Sequence, residues 1–201
     1  NHKNISTFAP QFINPGYPGS IRNSGNLNYL KQFKIPFKGL SLGTHVYDWE
    51  LDNKFFEAVE SPDVIDCRLK VALELEKKER MMILVFHISG RLEVACDRCL
   101  DPLDLPVDVT ETYYIKFGDE LREESETSLV IPDSEYQVSV SDLIYDYISL
   151  SIPIKKVHPE DSDGNSTCNN EALSRLEQLS VQKGNDPRWE ALKKIKLDKN
   201  T

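Results

Sequence analysis

The chain has 201 residues, of which 39% are hydrophobic and 28% are charged, a balance typical of a globular protein rather than a disordered or membrane-spanning one. With 24 Lys and Arg against 33 Asp and Glu, the formal net charge is −9. This charge argues against a protein that coats nucleic acid, because that affinity comes mainly from basic residues that neutralise phosphates. The longest apolar run, residues 81–88, is too short to span a bilayer, and the chain does not open with a signal sequence. We therefore expect a cytoplasmic protein with no membrane partner.

The first 30 residues are rich in Asn, Gly, Pro and Ser and show no hydrophobic period. This composition predicts a flexible leader over residues 1–30, and part of it is compatible with residues added in cloning. We expect residues 31–201 to form a single domain.

Alternating apolar and polar residues predict a sheet across the first two thirds of that domain. An edge strand is expected at 33–37, a second strand carries His45 to Leu51, and Asp52 is predicted to cap a short helix. Further strands are predicted at 69–75, 81–88, 91–95 and 107–117. Because short turns join successive strands, we expect an antiparallel sheet that is curled or barrel-like.

The last third of the chain is predicted to be mainly helical. After an acidic loop at 118–126, a helical segment begins at about residue 141, with apolar residues on one stripe, and ends before Pro153. A polar loop follows, then helices at 171–179 and from residue 187 onward. The predicted class is α+β, with one short early helix and helices near the C-terminus.

The cysteines and histidines are the residues most suited to chemistry. Cys96-Asp-Arg-Cys99 has the spacing of a zinc knuckle, and His158 and Cys168 could complete a tetrahedral Cys₃His site. Such a site for one structural zinc ion would join the sheet to the C-terminal segment. Two other interpretations stay open: a redox pair, which normally lies at the start of a helix, and two ordinary reduced cysteines in a β-turn.

The other cysteine and two of the other histidines are expected to have structural roles. Cys67 is in phase with a predicted strand, and His45 and His87 lie within strands, so all three are interpreted as structural residues. The sequence contains no phosphate-binding glycine loop and no Ser/His/Asp pattern. We therefore expect no enzymatic activity and no small-molecule substrate.

The predicted last helix has a different charge from the rest of the chain. Between Lys183 and Lys199 there are six Lys and Arg against three Asp and Glu. This helix could pack its apolar stripe on the domain, with lysines near its C-terminal end complementing the helix dipole, or it could contact RNA. The residues expected to contact RNA or a partner are Trp189, Lys193, Lys194 and Lys196.

Four motifs in order give the chain a family resemblance. These are VACDRCLDPL, SIPIKKVHP, the following Cys168 and the closing DPRWEALKKIK. Together they resemble the YceD family of large ribosomal RNA subunit accumulation proteins, over about residues 33–197. The interval between His158 and Cys168 is longer than is usual in that family.

The resemblance implies a non-catalytic, bacterial-type cytoplasmic factor that supports synthesis, processing or accumulation of 23S rRNA. Its partner would be a 23S rRNA precursor or a large-subunit ribosomal protein. It also implies that Cys96, Cys99, His158 and Cys168 correspond to the family's Cys/His set.

A second function stays open beside this one. The acidic residues around 111–126 could steer a cationic partner, so the chain could be a binding module that holds a newly made basic ribosomal protein of the large subunit.

Overall fold

The computed structural model describes residues 28–61 and 63–179. No helix in these ranges is long and apolar enough to cross a membrane. Two short 3₁₀ turns, Lys31–Phe33 and Phe37–Gly39, accompany the regular elements. In chain order these are β1 (Lys34–Ile35), β2 (Gly43–Leu51), α1 (Asn53–Ala58), β3 (Val64–Lys77), β4 (Met81–Ala95), β5 (Pro102–Gly118), β6 (Arg122–Ser125), β7 (Ser128–Pro132), β8 (Val138–Ser139), α2 (Ser141–Ser151) and α3 (Asn170–Leu179).

The predicted α+β class is confirmed, with a mostly antiparallel sheet. Six strands pair in the order β2-β3-β4-β5-β7-β6, and β1 pairs separately with β8. One neighbouring pair departs from the expected antiparallel pattern, because β5 and β7 run parallel. After β5 the chain reverses direction and forms β6 as the outer strand of the sheet. It then reverses a second time and forms β7 between β5 and β6, so β7 runs in the same direction as β5.

The expected curled or barrel-like form is not confirmed, because the sheet does not close into a barrel. A barrel requires the first and last strands of the sheet to pair, and here β2 and β6 are the two outer strands. The edge strand β6 has only four residues, all exposed, and three of them are charged. Short, charged edges of this kind discourage further strand pairing, which explains why the sheet stays open.

The main core lies on one face of the sheet. Alternate residues of β3 and β4 point to this face, where α1 and α2 cover them. Asp52 caps α1 as predicted, accepting a hydrogen bond from the Lys54 backbone N–H at 3.1 Å. Leu30, the last residue of the predicted leader, is also part of this core, whereas residues 1–27 lie outside the described part of the chain.

A second, smaller cluster lies where β4 and β5 meet. Its buried members are Val94, Cys96, Cys99, Leu103 and Cys168. The predicted strands at 81–88 and 91–95 form one continuous strand, β4, which extends from the main core to this second cluster. Gly90 lies between the two predicted strands with a φ of +143°, and an added Cβ there would lie 2.2 Å from the Arg68 carbonyl oxygen. Only glycine fits this close approach to β3.

Replacing this glycine should be costly. Gly90→Ala should lower the free energy of unfolding by about 3 kcal/mol, because the new methyl group meets backbone and the φ angle is strained. Urea denaturation measures the change. Gly39→Ala is the matched control: nothing lies within 4 Å of its Cβ position, so its effect should stay within about 0.5 kcal/mol. Equal unfolding midpoints for the two variants would contradict the packing argument.

Candidate metal centre

The first two candidate ligands lie in the tight connection between β4 and β5. The Cys96 backbone N–H donates to the Asp101 carbonyl, and the Leu100 N–H donates to the Cys96 carbonyl, both at 3.0 Å. Leu100 takes the left-handed conformation with a φ of +65°. This turn directs the sulfurs of Cys96 and Cys99 into the second cluster, where both residues are buried.

The segment that follows α2 supplies the other two candidate ligands. Two hydrogen bonds hold this segment against the turn between β4 and β5. The Asp97 N–H donates to the Lys156 carbonyl at 2.6 Å, and the Lys156 N–H donates to the Asp97 carboxylate at 2.7 Å. These bonds align the chain so that His158 reaches Cys99.

The long interval between His158 and Cys168 closes on itself. The Asp161 carboxylate accepts hydrogen bonds from the backbone N–H groups of Asp163 at 2.9 Å and Asn165 at 2.8 Å. An isolated bridge between Glu160 and Ser166 then returns the chain to its starting point. The extra residues therefore form a local loop and do not displace Cys168 from the cluster.

Cys168 is anchored by its neighbour in sequence. Asn169 donates from its side chain to the Asp101 carboxylate at 3.1 Å and accepts from the Glu171 N–H at 2.9 Å. Asn169 therefore caps the start of α3 and also joins that helix to the β4–β5 connection. The apolar side of α3, with Ala172 and Leu173, packs on the second cluster.

The four candidate ligand atoms lie within 4.8 Å of one another. The Cys96 and Cys168 sulfurs are 3.8 Å apart, and His158 Nδ1 lies 3.4 Å from the Cys99 sulfur and 3.7 Å from the Cys168 sulfur. Tetrahedral zinc, with bonds of about 2.3 Å to sulfur and about 2.0 Å to nitrogen, separates two sulfurs by about 3.8 Å and a sulfur and a nitrogen by about 3.5 Å. The spacing of these atoms therefore fits a tetrahedral zinc ion.

The orientation of His158 also fits a ligand. Its Nε2 lies 3.0 Å from the Pro102 carbonyl oxygen, which can only accept a hydrogen bond, so Nε2 carries the proton. In the neutral ring this leaves the lone pair on Nδ1, which faces the sulfurs of Cys99 and Cys168. Ligating histidines usually have their other nitrogen fixed in this way by a carbonyl or carboxylate.

Local hydrogen bonds favour the thiolate form of Cys96. Burial raises the pKa of this thiol, but backbone N–H groups, first those of Cys99 and Arg98, outweigh it and lower the pKa to about 6. A thiolate is both the metal-binding and the nucleophilic form of cysteine. Because the three cysteines of the cluster are only 0–7% exposed, reaction with an outside disulfide is hindered, and the arrangement favours metal binding over redox exchange.

The other sequence-predicted residues lie away from this cluster. Cys67 is buried in the main core, as predicted. His45 of β2 is hydrogen-bonded to the Ser41 carbonyl just before that strand, and His87 of β4 is hydrogen-bonded to the Thr110 hydroxyl on the neighbouring strand β5. The predicted contact residues Trp189, Lys193, Lys194 and Lys196 lie outside the described residues.

Several residues that shape the site were not predicted from the sequence. Asp97, Asn169 and the Pro102 carbonyl each form a hydrogen bond that involves a side chain and joins segments distant in the sequence. Such contacts leave no periodic pattern in the sequence. One usable signal was present: Asp161-Ser-Asp-Gly-Asn165 is rich in residues that form side-chain-stabilised turns.

Comparison with known proteins adds one finding. No curated protein and no solved structure gives a significant match to the chain. A family model described as "Large ribosomal RNA subunit accumulation protein YceD" matches residues 84–196, which is more than half of the 201 residues. The matched region includes most of β4, all of β5 and all four residues of the Cys/His cluster. With more than half of its length matched, the chain belongs to the YceD family.

Proposed function

We propose that the chain is a non-catalytic ribosome-biogenesis factor that acts in the cytoplasm and supports accumulation of 23S rRNA in the large ribosomal subunit. The family match carries this proposal, because the family is described by large ribosomal RNA subunit accumulation. The matched residues include the whole Cys/His cluster, and we therefore propose a role for that cluster as well.

In this proposal the cluster binds one structural zinc ion. Cys96, Cys99, His158 and Cys168 would hold the metal and join the β4–β5 connection to the segment before α3. Among the residues that the structure describes, five are buried in the second cluster, which is too few for a stable core of their own. A metal is the usual addition that lets so small an apolar cluster stay folded.

The same donor set supports a non-enzymatic role. Catalytic zinc sites keep one position open for water or substrate, whereas four protein donors close the coordination shell. Here four donors are available and three of them are buried cysteines. We therefore propose a metal that stabilises the fold and carries out no chemistry.

A second candidate function is supported by charge. With a net charge of −9, the chain suits a module that holds a basic large-subunit ribosomal protein before assembly. The exposed residues around β6 include Asp119, Glu120, Glu123 and Glu126. The cations Lys116 and Arg122 both pair with Glu124, at 2.6 Å and 3.0 Å, and within the described residues the other four carboxylates form no ion pair.

Metal content tests the proposed zinc site. Purified, reduced protein should contain about one zinc per chain, and Cys96→Ser should weaken zinc binding by about two orders of magnitude or more, because it removes a thiolate ligand. Cys67→Ser is the matched control, since Cys67 is equally buried but lies in the main core. Wild-type protein without zinc, or equal loss of zinc from both variants, would contradict the assignment.

Removal of the metal should unfold one part of the chain and leave the rest folded. Chelation should strip hydrogen-exchange protection from the segment between His158 and Leu173, because its packing belongs to the second cluster. Leu73 and Leu84 of the main core should keep their protection. Mass spectrometry of exchanged peptides measures both. Uniform loss of protection across the sheet would show that the two clusters fold as one unit.

Sedimentation tests the function itself. Tagged protein should migrate with precursors of the large subunit, and not with mature ribosomes, in a sucrose gradient at moderate salt. Contact with rRNA should be lost on nuclease treatment, whereas a direct complex with a basic ribosomal protein should survive nuclease and weaken at high salt. Protein found only at the top of the gradient would contradict stable binding to the particle.

A further inference from the structure

A cavity of about 280 Å³ lies between α2 and the β5–β7 side of the sheet. Its volume is slightly below the roughly 300–1,000 Å³ of small-molecule sites, which suits one inserted side chain. The lining combines two aromatic rings, two leucines and two carboxylates, namely Tyr113, Tyr147, Leu143, Leu150, Asp146 and Glu126.

The charge around the cavity is negative, and no Lys or Arg of the described residues lines it. Asp146 makes no hydrogen bond or ion pair within the described residues, and burial together with the nearby charge of Asp142 raises its pKa. The helix that carries it, α2, contains no Lys or Arg. Glu111 and Glu123 add further negative charge near the two tyrosines. A partly buried carboxylate in this setting gains from any cation that can reach it.

The walls of the cavity favour one kind of cation. Tyr147 packs edge-on against Phe86 and its buried hydroxyl has no hydrogen-bond partner among the described residues. Aromatic faces attract cations, and arginine most often, because its planar guanidinium stacks on a ring while donating several hydrogen bonds. Divalent metals need oxygen ligands that converge, and these carboxylates do not form such a group in the described part of the chain.

We propose that this cavity binds an arginine side chain of a basic protein partner. The guanidinium would lie against the ring of Tyr147 and donate to Asp146 and Glu126, while Leu150, which is 82% exposed, would contact the partner's backbone at the rim. The inference rests on the second of the two proposed functions, the holding of a basic protein, and names the site where that partner attaches.

A peptide titration followed by NMR tests this site. The probe is the blocked tripeptide acetyl-Gly-Arg-Gly-amide, added to the full zinc-loaded chain, with the same peptide carrying neutral citrulline as its counterpart. The arginine peptide should shift the backbone amides of α2 in a saturable way, and citrulline should bind at least about fivefold more weakly, because it keeps the shape and loses the charge.

Two matched variants assign the effect to the cavity. Asp146→Asn should weaken binding of the arginine peptide by about tenfold, and it should fold at least as well as wild type, because it removes an uncompensated charge. Asp48→Asn removes the same charge from an exposed position on β2, and it should leave binding unchanged. Equal binding of citrulline, no effect of Asp146→Asn, or the same amide shifts produced by a single-stranded RNA oligonucleotide would overturn the proposal.

The result can be separated from the test of the overall function. Zinc content and migration with large-subunit precursors are measured on the same variants. If Asp146→Asn binds the peptide as wild type does yet the protein still migrates with precursors, the cavity assignment fails and the biogenesis function stands. If peptide binding follows the expected pattern but the protein does not migrate with large-subunit precursors, the assignment of the cavity holds and stable binding to the precursor particle is contradicted.

Discussion

The C-terminal part of the described fold packs around four potential metal-binding atoms that come from distant parts of the chain. The Cys96 and Cys168 sulfurs lie 3.8 Å apart although 72 residues separate them in sequence. Two hydrogen bonds between Asp97 and Lys156 align the two segments, one between backbone groups and one from the Lys156 N–H to the Asp97 carboxylate. Each contributes only about 1–3 kcal/mol. The five buried residues of the second cluster add little more apolar burial. A metal shared by the four donors, as proposed above, would be strong enough to hold α3 against the sheet.

The main sheet has no such dependence. Its core is built from long antiparallel strands whose alternate residues face α1 and α2, so it has apolar burial of its own. The strand β4 belongs to both clusters, and Gly90 lets it lie close against β3 along the way. The described fold therefore consists of a sheet with a large apolar core that presents a turn with two cysteines to a C-terminal segment with little apolar burial. This division explains why chelation and core substitutions should have different structural effects.

The sequence predicted the parts of the fold that have strong periodicity. Alternation in β3, β4 and β5 was clear, and the Cys-X-X-Cys spacing singled out Cys96 and Cys99. The strand β7 was missed because the first four of its five residues, Ser128–Ile131, are all buried. The strand therefore has no alternation of apolar and polar residues to detect. The open sheet was also missed, because strand patterns define faces and say little about which strands lie at the edges. The cavity beside α2 depends on tertiary packing of Tyr113 against that helix, which no local pattern reports.

The order of the ligands along the chain has a consequence for synthesis. Ribosomes add roughly 5–20 residues per second, so the 72 residues between Cys96 and Cys168 take on the order of 4–14 s to translate. During that time β3, β4 and β5 can already pair, while the cysteine turn has only two of its four donors. The strands of the sheet can therefore pair before Cys168 is made, and in that interval Cys96 and Cys99 lack two of the four donors of the proposed site. The proposed metal could fix the C-terminal segment to the sheet only after Cys168 has been translated.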